Sequence, residues 1–238
     1  MKKSKLLIIA LLLIFPFSLY LNAQTRLEMY EKVYEENPKG ILIMPPINQT
    51  EEYFAKDFVY GSLNTTLIEK GYYVFPPILS LDFFEKDSNF SSEDLLNYSM
   101  KQLKDTFNCD AVLFTIITQW KKPTFIGPKA EVTIEYILKS AKTDRIIFNR
   151  TCQVIYTSSK RSWGTEGSLF APIINLFTGR AIKTPTADLE AVFSGNERIF
   201  SDLPYGENHP DFLKDQDEKT EKQNIILTVY DIVIHHHY

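Results

Sequence analysis

The sequence predicts an α/β fold on a mixed sheet: a parallel β-α-β start, then an antiparallel hairpin, helices packed on the sheet, and a C-terminal helical extension. Three observations predict it. Two short apolar runs, Ile41–Met44 and Tyr72–Phe75, each end in a proline pair, Pro45-Pro46 and Pro76-Pro77. Between them lies one helix-patterned stretch of the length a crossover between parallel strands needs. Downstream, Ala130–Leu138 alternates apolar and polar residues and is followed by a turn and a second such run, as in a hairpin. Proline lacks a backbone donor and has a locked φ, so both pairs are read as strand stops at one rim of the sheet. The rim beyond the carboxyl ends of parallel strands is where open α/β folds bind their ligands.

The elements follow in order. Met1–Lys5 is basic, Leu6–Leu21 is an uncharged apolar run broken by Pro16, and Asn22-Ala23-Gln24 offers a small residue for cleavage. Residues 1–23 are read as a signal peptide cut after Ala23. The competing reading is an uncleaved anchor giving membrane contact through the N-terminus, but the run falls short of the ~20 residues a spanning helix prefers. No cysteine follows the run to accept a lipid. The product is therefore expected to be exported, in the periplasm or associated with the outer membrane. Loss of Lys2, Lys3 and Lys5 moves the formal charge from −4 to −7. An acidic chain does not attract polyanions, so nucleic acid is excluded as an expected partner.

Residues 24–39 form a polar lead-in with a short helix, and 40–157 the α/β core. Gly40 opens the first strand. Asn48 is expected to cap the first long helix, with Glu51 completing a capping box. The helix runs to Lys70, buries one face through Phe54, Phe58, Val59, Leu63 and Leu67, and ends at Gly71 as a left-handed cap. Ile78–Phe84 is irregular or helical. Ser91 or Ser92 caps a second helix carrying Leu96, Met100, Leu103 and Phe107. Ala111–Trp120 is apolar on both faces at Val112–Ile117, which marks a central strand. The hairpin turns at Ala141–Asp144 into Ile146, Phe148, Cys152, Val154 and Tyr156.

Residues 158–213 are read as a helical extension. It holds the apolar Leu169–Phe177 and a helix opened by Thr184-Pro185 that carries Leu189, Val192, Phe193, Ile199 and Phe200. Leu203–Gly206 breaks that helix. Residues 214–238 are the rest of a charged linker, which starts at Asp211, and an apolar tail, Ile225–Ile234, able to form a late strand.

The chain carries no Gly-rich phosphate loop, no nucleophile elbow and no zinc-type His/Glu helix, and no cofactor or metal is expected. His235–His237 read as a solvated chain end and His209 as a structural residue. Cys109 and Cys152 are either buried free thiols or, in an exported chain, a disulfide. Two docking candidates remain. The first is the rim formed by Pro45, Pro46, Asn48, Pro76 and Pro77; its plain alternative is that the prolines only stop strands and Asn48 only caps. The second is the segment with Trp163, Leu169, Phe170, Ile173, Ile174 and Phe177; its plain alternative is a buried helix.

Four stretches fall in one order: Ile43-Met44-Pro45-Pro46-Ile47-Asn48; Glu69-Lys70-Gly71-Tyr72-Tyr73-Val74-Phe75-Pro76; Phe107-Asn108-Cys109-Asp110-Ala111-Val112-Leu113; and Leu203-Pro204-Tyr205-Gly206 followed by His209-Pro210. Over about residues 40–213 the chain resembles the bacterial lipoprotein family typified by a genome-derived neisserial antigen. The resemblance implies a domain similar to the amino-terminal domain of TolB and to the periplasmic part of the curli-export pore component. It also implies a role in envelope assembly or secretion beside a homologue of that pore, and no catalytic residues. The chain departs from the family in lacking the lipoprotein cysteine, and in having Asn108 and Cys109 where small residues are usual. The expected function is therefore a non-enzymatic envelope adaptor whose partners are envelope proteins, including an outer-membrane pore component. The alternative is a periplasmic small-ligand binder or hydrolase using the proline-bounded rim.

Overall fold

The elements are, in chain order, helices Arg26–Met29 (α1) and Glu31–Glu36 (α2), strands Gly40–Ile43 (β1) and Ile47–Asn48 (β2), helix Ala55–Glu69 (α3), strand Tyr73–Val74 (β3) and helix Pro77–Glu85 (α4). A 3-10 turn at Asp94–Asn97 leads to helix Met100–Phe107 (α5). Strands Ala111–Lys121 (β4), Ala130–Ser140 (β5) and Ile146–Tyr156 (β6) follow, then helix Ala187–Ser201 (α6) and strand Asn224–Val229 (β7). This computed structural model describes residues 24–85, 94–121, 130–157, 187–220 and 224–229.

Among the described residues the strands form one seven-stranded sheet in the order β3-β1-β4-β5-β6-β7, with β2 also on β4. β1 runs parallel to β3, with Gly40 opposite Tyr73, and parallel to β4, with Ile41 opposite Ala111. β4, β5 and β6 form an antiparallel meander, and β7 returns parallel to β6. The parallel start, the hairpin and the late strand are all present. β4 is central for the expected reason: Ala111–Ile117 are buried without a break. Leu113 and Ile117 meet Ile41 and Ile43 in the core beneath α3 and α6. On the opposite face Val112, Phe114 and Ile116 meet Leu42, Met44 and the helix residues Phe84, Met100 and Leu103.

The first proline pair follows the end of β1 at Ile43, as expected, but the chain rejoins the sheet just beyond it as β2. Ile43 pairs with Leu113 and Ile47 with Ile116, so four residues on one side span three on the other. Pro45 and Pro46 sit in that bulge, where a missing donor costs no ladder bond. Asn48 does not cap α3, which begins at Ala55 behind Phe54 with no side-chain cap. Instead Asn48 Oδ1 accepts from Thr50 N at 3.0 Å and from Thr50 Oγ1 at 2.7 Å, and Asn48 Nδ2 donates to Glu52 O at 2.8 Å. The same short amide serves a turn or a cap, and here the β2–β4 pairing holds it in the turn.

α3 is buried on more than one face, including Tyr60, Gly61, Ser62 and Thr66, because α6 lies across it. Asn196 of α6 donates to Ser62 Oγ at 2.7 Å and accepts from Tyr136 of β5, also at 2.7 Å. The helix thus packs on the sheet and on α3. Its Thr184-Pro185 start lies outside the described residues. α3 ends as expected at Gly71 (φ 84°) in a Schellman motif: Gly71 N donates to Ile68 O and Tyr72 N to Leu67 O. The second predicted helix is split. Leu96 lies in the 3-10 turn, and α5 is capped by Ser99, which accepts from Gln102 N. Ser91 and Ser92 lie outside the described residues.

The charged stretch from Asp211 to Thr220, expected as a linker, is fastened to the body through its buried residues Asp215 and Thr220. Asp215 is 1 % exposed and pairs with the buried Arg26 at 2.9 Å. Arg26 N donates to Glu218 O, and Thr220 N to Gln24 O, so the stretch folds back onto α1. Charge density alone reads as solvated; a buried charge needs its partner, and here the partner lies at the other end of the chain. Cys109 and Cys152 are free and buried, in the core clusters on opposite faces of the sheet.

Candidate functional site: an aromatic groove at the end of β3

At the carboxyl end of β3, Pro76 and Pro77 turn the chain directly into α4. Pro77 takes the first helical position, where its missing N–H is harmless and its φ is already helical. Pro76 O accepts from Leu79 N at 3.0 Å. α4 turns Pro77, Ser80 and Phe84 inward, and leaves Leu79 65 % and Phe83 44 % exposed, one helical turn apart. Across from them α5 buries Met100 and Leu103 and presents Gln102 and Thr106, also one turn apart.

Between the two helices opens a groove of about 910 Å³. Leu79, Phe83, Tyr98, Leu103 and Phe107 give it an apolar lining, and Asp82, Gln102 and Thr106 a polar rim. The aromatic rings meet edge to face: Phe83 on Phe107 at 5.0 Å and 77°, Phe75 on Phe107 at 6.1 Å and 75°, Phe84 on Tyr98 at 5.5 Å and 85°. Rings in this arrangement hold one another's orientation, so the floor is preformed.

A buried hydroxyl knot steadies the groove from behind. Tyr60 Oη lies 2.6 Å from Ser80 Oγ, 3.0 Å from Pro77 O and 3.3 Å from Ile43 O. It ties α4 and the end of β1 to α3. Of the rim residues picked out by sequence, Pro76 is exposed, Pro77 is buried at the start of α4, Pro45 and Pro46 are buried in the bulge, and Asn48 is half-buried in its turn. None of the five lines the groove; Pro76 and Pro77 only precede its first lining residue, Leu79, in the chain. Trp163, Leu169, Phe170, Ile173, Ile174 and Phe177 lie outside the described residues.

The turn Leu203–Gly206 forms a clasp with the Gly71 corner. Gly206 N donates to Lys70 O at 2.8 Å, and Tyr72 Oη to Pro204 O at 2.6 Å. Tyr205 stacks on His209 at 3.7 Å, and Lys70 Nζ lies 4.3 Å from the centre of the Tyr205 ring. Two of the four sequence stretches thus meet as one packed unit.

Sequence reasoning missed Leu79 and Phe83. The available signal was that Ile78–Phe84 holds five apolar residues in seven, more than one buried face requires. Among the described residues no group of three or more His, Cys, Asp or Glu could hold a metal ion, and no helix is long and apolar enough to cross a membrane. Burial pushes the thiols of Cys109 and Cys152 up to about 11 and about 12, which holds both as protonated thiols at neutral pH.

Comparison with known proteins finds a family match over much of the chain. The model of the family "Putative lipoprotein GNA1162-like" matches residues 29–192. A putative lipoprotein of Neisseria meningitidis serogroup B, NMB1124/NMB1162, is 23 % identical over 147 residues, 61 % of this chain and 68 % of that protein. The crystal structure of lipoprotein GNA1162 from Neisseria meningitidis overlaps with a TM-score of 0.45 at 23 % identity, covering 58 % of this chain and 96 % of the other. The C-terminal domain of LpoB from Salmonella enterica overlaps with a TM-score of 0.38 at 12 % identity, covering 55 % and 96 % respectively. With its family match spanning more than half its length, the chain belongs to the GNA1162-like family of putative lipoproteins.

Proposed function

We propose that the protein is a non-catalytic accessory component of a bacterial envelope assembly or secretion apparatus, and that it docks on other envelope proteins, a pore component among them, through the groove between α4 and α5. The observation that carries this reading is the exposure of Leu79 and Phe83 above an aromatic floor with a polar rim. Large exposed apolar groups rimmed by polar ones are characteristic of docking sites. Membership of a lipoprotein family supports the envelope setting. Among the described residues that line the groove the one carboxylate is Asp82, where a hydrolase mechanism would require a positioned acid/base set.

Site-specific photo-crosslinking in intact cells tests the proposal. A crosslinker at Leu79 should capture a discrete envelope protein, and Phe83→Asp should abolish the adduct. A crosslinker at Tyr53, 65 % exposed on another part of the surface, should not form it. Equal capture from both positions, or capture indifferent to Phe83→Asp, would refute docking at the groove.

A further inference from the structure

The two ends of the sheet are finished differently. At one end β3 is two residues long and Pro76 follows closely, removing a backbone donor. Short edge strands and prolines are devices that keep a sheet from pairing with another chain. At the other end β7 runs six residues in unbroken register with β6, from Asn224 opposite Thr151 to Val229 opposite Tyr156. It contains no proline, no charge and no bulge, and among the described residues nothing pairs with its outer edge. Ile225 and Leu227 pack against the core, while Ile226 is 70 % exposed. Such an edge is a hydrogen-bonding template for one more extended chain.

We propose that β7 is the seam for a second copy of this chain, joined edge to edge and antiparallel. Self-pairing sets a strand against its own composition, so a charged strand opposes itself and an uncharged one does not. A two-fold axis normal to the sheet keeps the core-facing sides of both copies on one side. With the axis at Leu227, position 225 meets 229 and position 226 meets 228, so every pair from 225 to 229 is aliphatic or β-branched. The row begun by Ile225 and Leu227 then continues into the second copy, giving one continuous sheet.

Sedimentation velocity on the full chain tests this. Wild type should reach a dimer, and Ile68→Lys, at a half-exposed position on α3, should do the same. The double variant Ile226→Lys/Thr228→Lys alters two exposed side chains and should weaken the dimer by about tenfold or more. Its thermal melt at dilutions where both proteins are monomeric should match wild type. A wild type that stays monomeric at its highest soluble concentration would overturn the proposal. So would a dimer indifferent to the two lysines, or a monomer whose β7 instead captures a different protein.

Discussion

Gly71 serves two needs with one missing side chain. Its φ of 84° closes α3, and its backbone faces the clasp turn so closely that a Cβ there would lie 2.5 Å from His209 N and 2.9 Å from Gly206 O. Gly206 is confined in return, its Cβ position falling 2.7 Å from Gly71 O. Gly71→Ala should therefore cost about 3 kcal/mol in a urea melt, since left-handed strain and a backbone clash add. A loss near the few tenths typical of a surface change would contradict the close approach. Lys70, the neighbouring residue, titrates unusually. Burial first, then the charge of Arg26, bring its ammonium down to about 8, against the pull of Asp215 and Glu218. Between about 8 and 10.5 the unfolded chain keeps a proton that the folded chain has released, so this group makes stability rise with pH across that window. Denaturant melts at pH 7.5, 9 and 10.5 should show wild type gaining on Lys70→Met. Parallel pH profiles would show that the group is not perturbed.

At the scale of elements, α6 is held to β6 by more than apolar packing. Arg150, 1 % exposed in mid-β6, donates to Tyr30 Oη on the chain between α1 and α2, and pairs with Asp202 just past the end of α6. Asp202→Ala would take the paired carboxylate away from that buried guanidinium, and should cost about 3–5 kcal/mol by chemical denaturation. A loss under ~1 kcal/mol would mean that water reaches Arg150. Elements whose signal is local were legible in the sequence. The unbroken apolar run Val112–Ile117 marked the central strand, the alternation in Ala130–Leu138 marked the hairpin, and Gly71 marked the end of α3. Asn48 misled because an Asx turn and a helix cap use the same side-chain chemistry. The groove was hidden for a different reason. Leu79 and Phe83 are the same residue types as the core positions around them, and their exposure is decided by what fails to cover them.

For the whole molecule, the meander β4–β5–β6 is built from neighbours in sequence, while the parallel strands on either side must be brought in from far along the chain. Loop closure is paid before distant pairings are rewarded, so local hairpins form fast and crossovers slowly. The pairing of Arg26 with Asp215 was invisible to any windowed reading because 189 residues separate the two. That separation also orders the steps of folding. The amino-terminal helix carries a guanidinium whose burial is tolerable only once its counter-charge has arrived. A chain whose segment around Asp215 has not yet folded back cannot seat that helix. The body of the fold stays unlatched until that late segment closes on it.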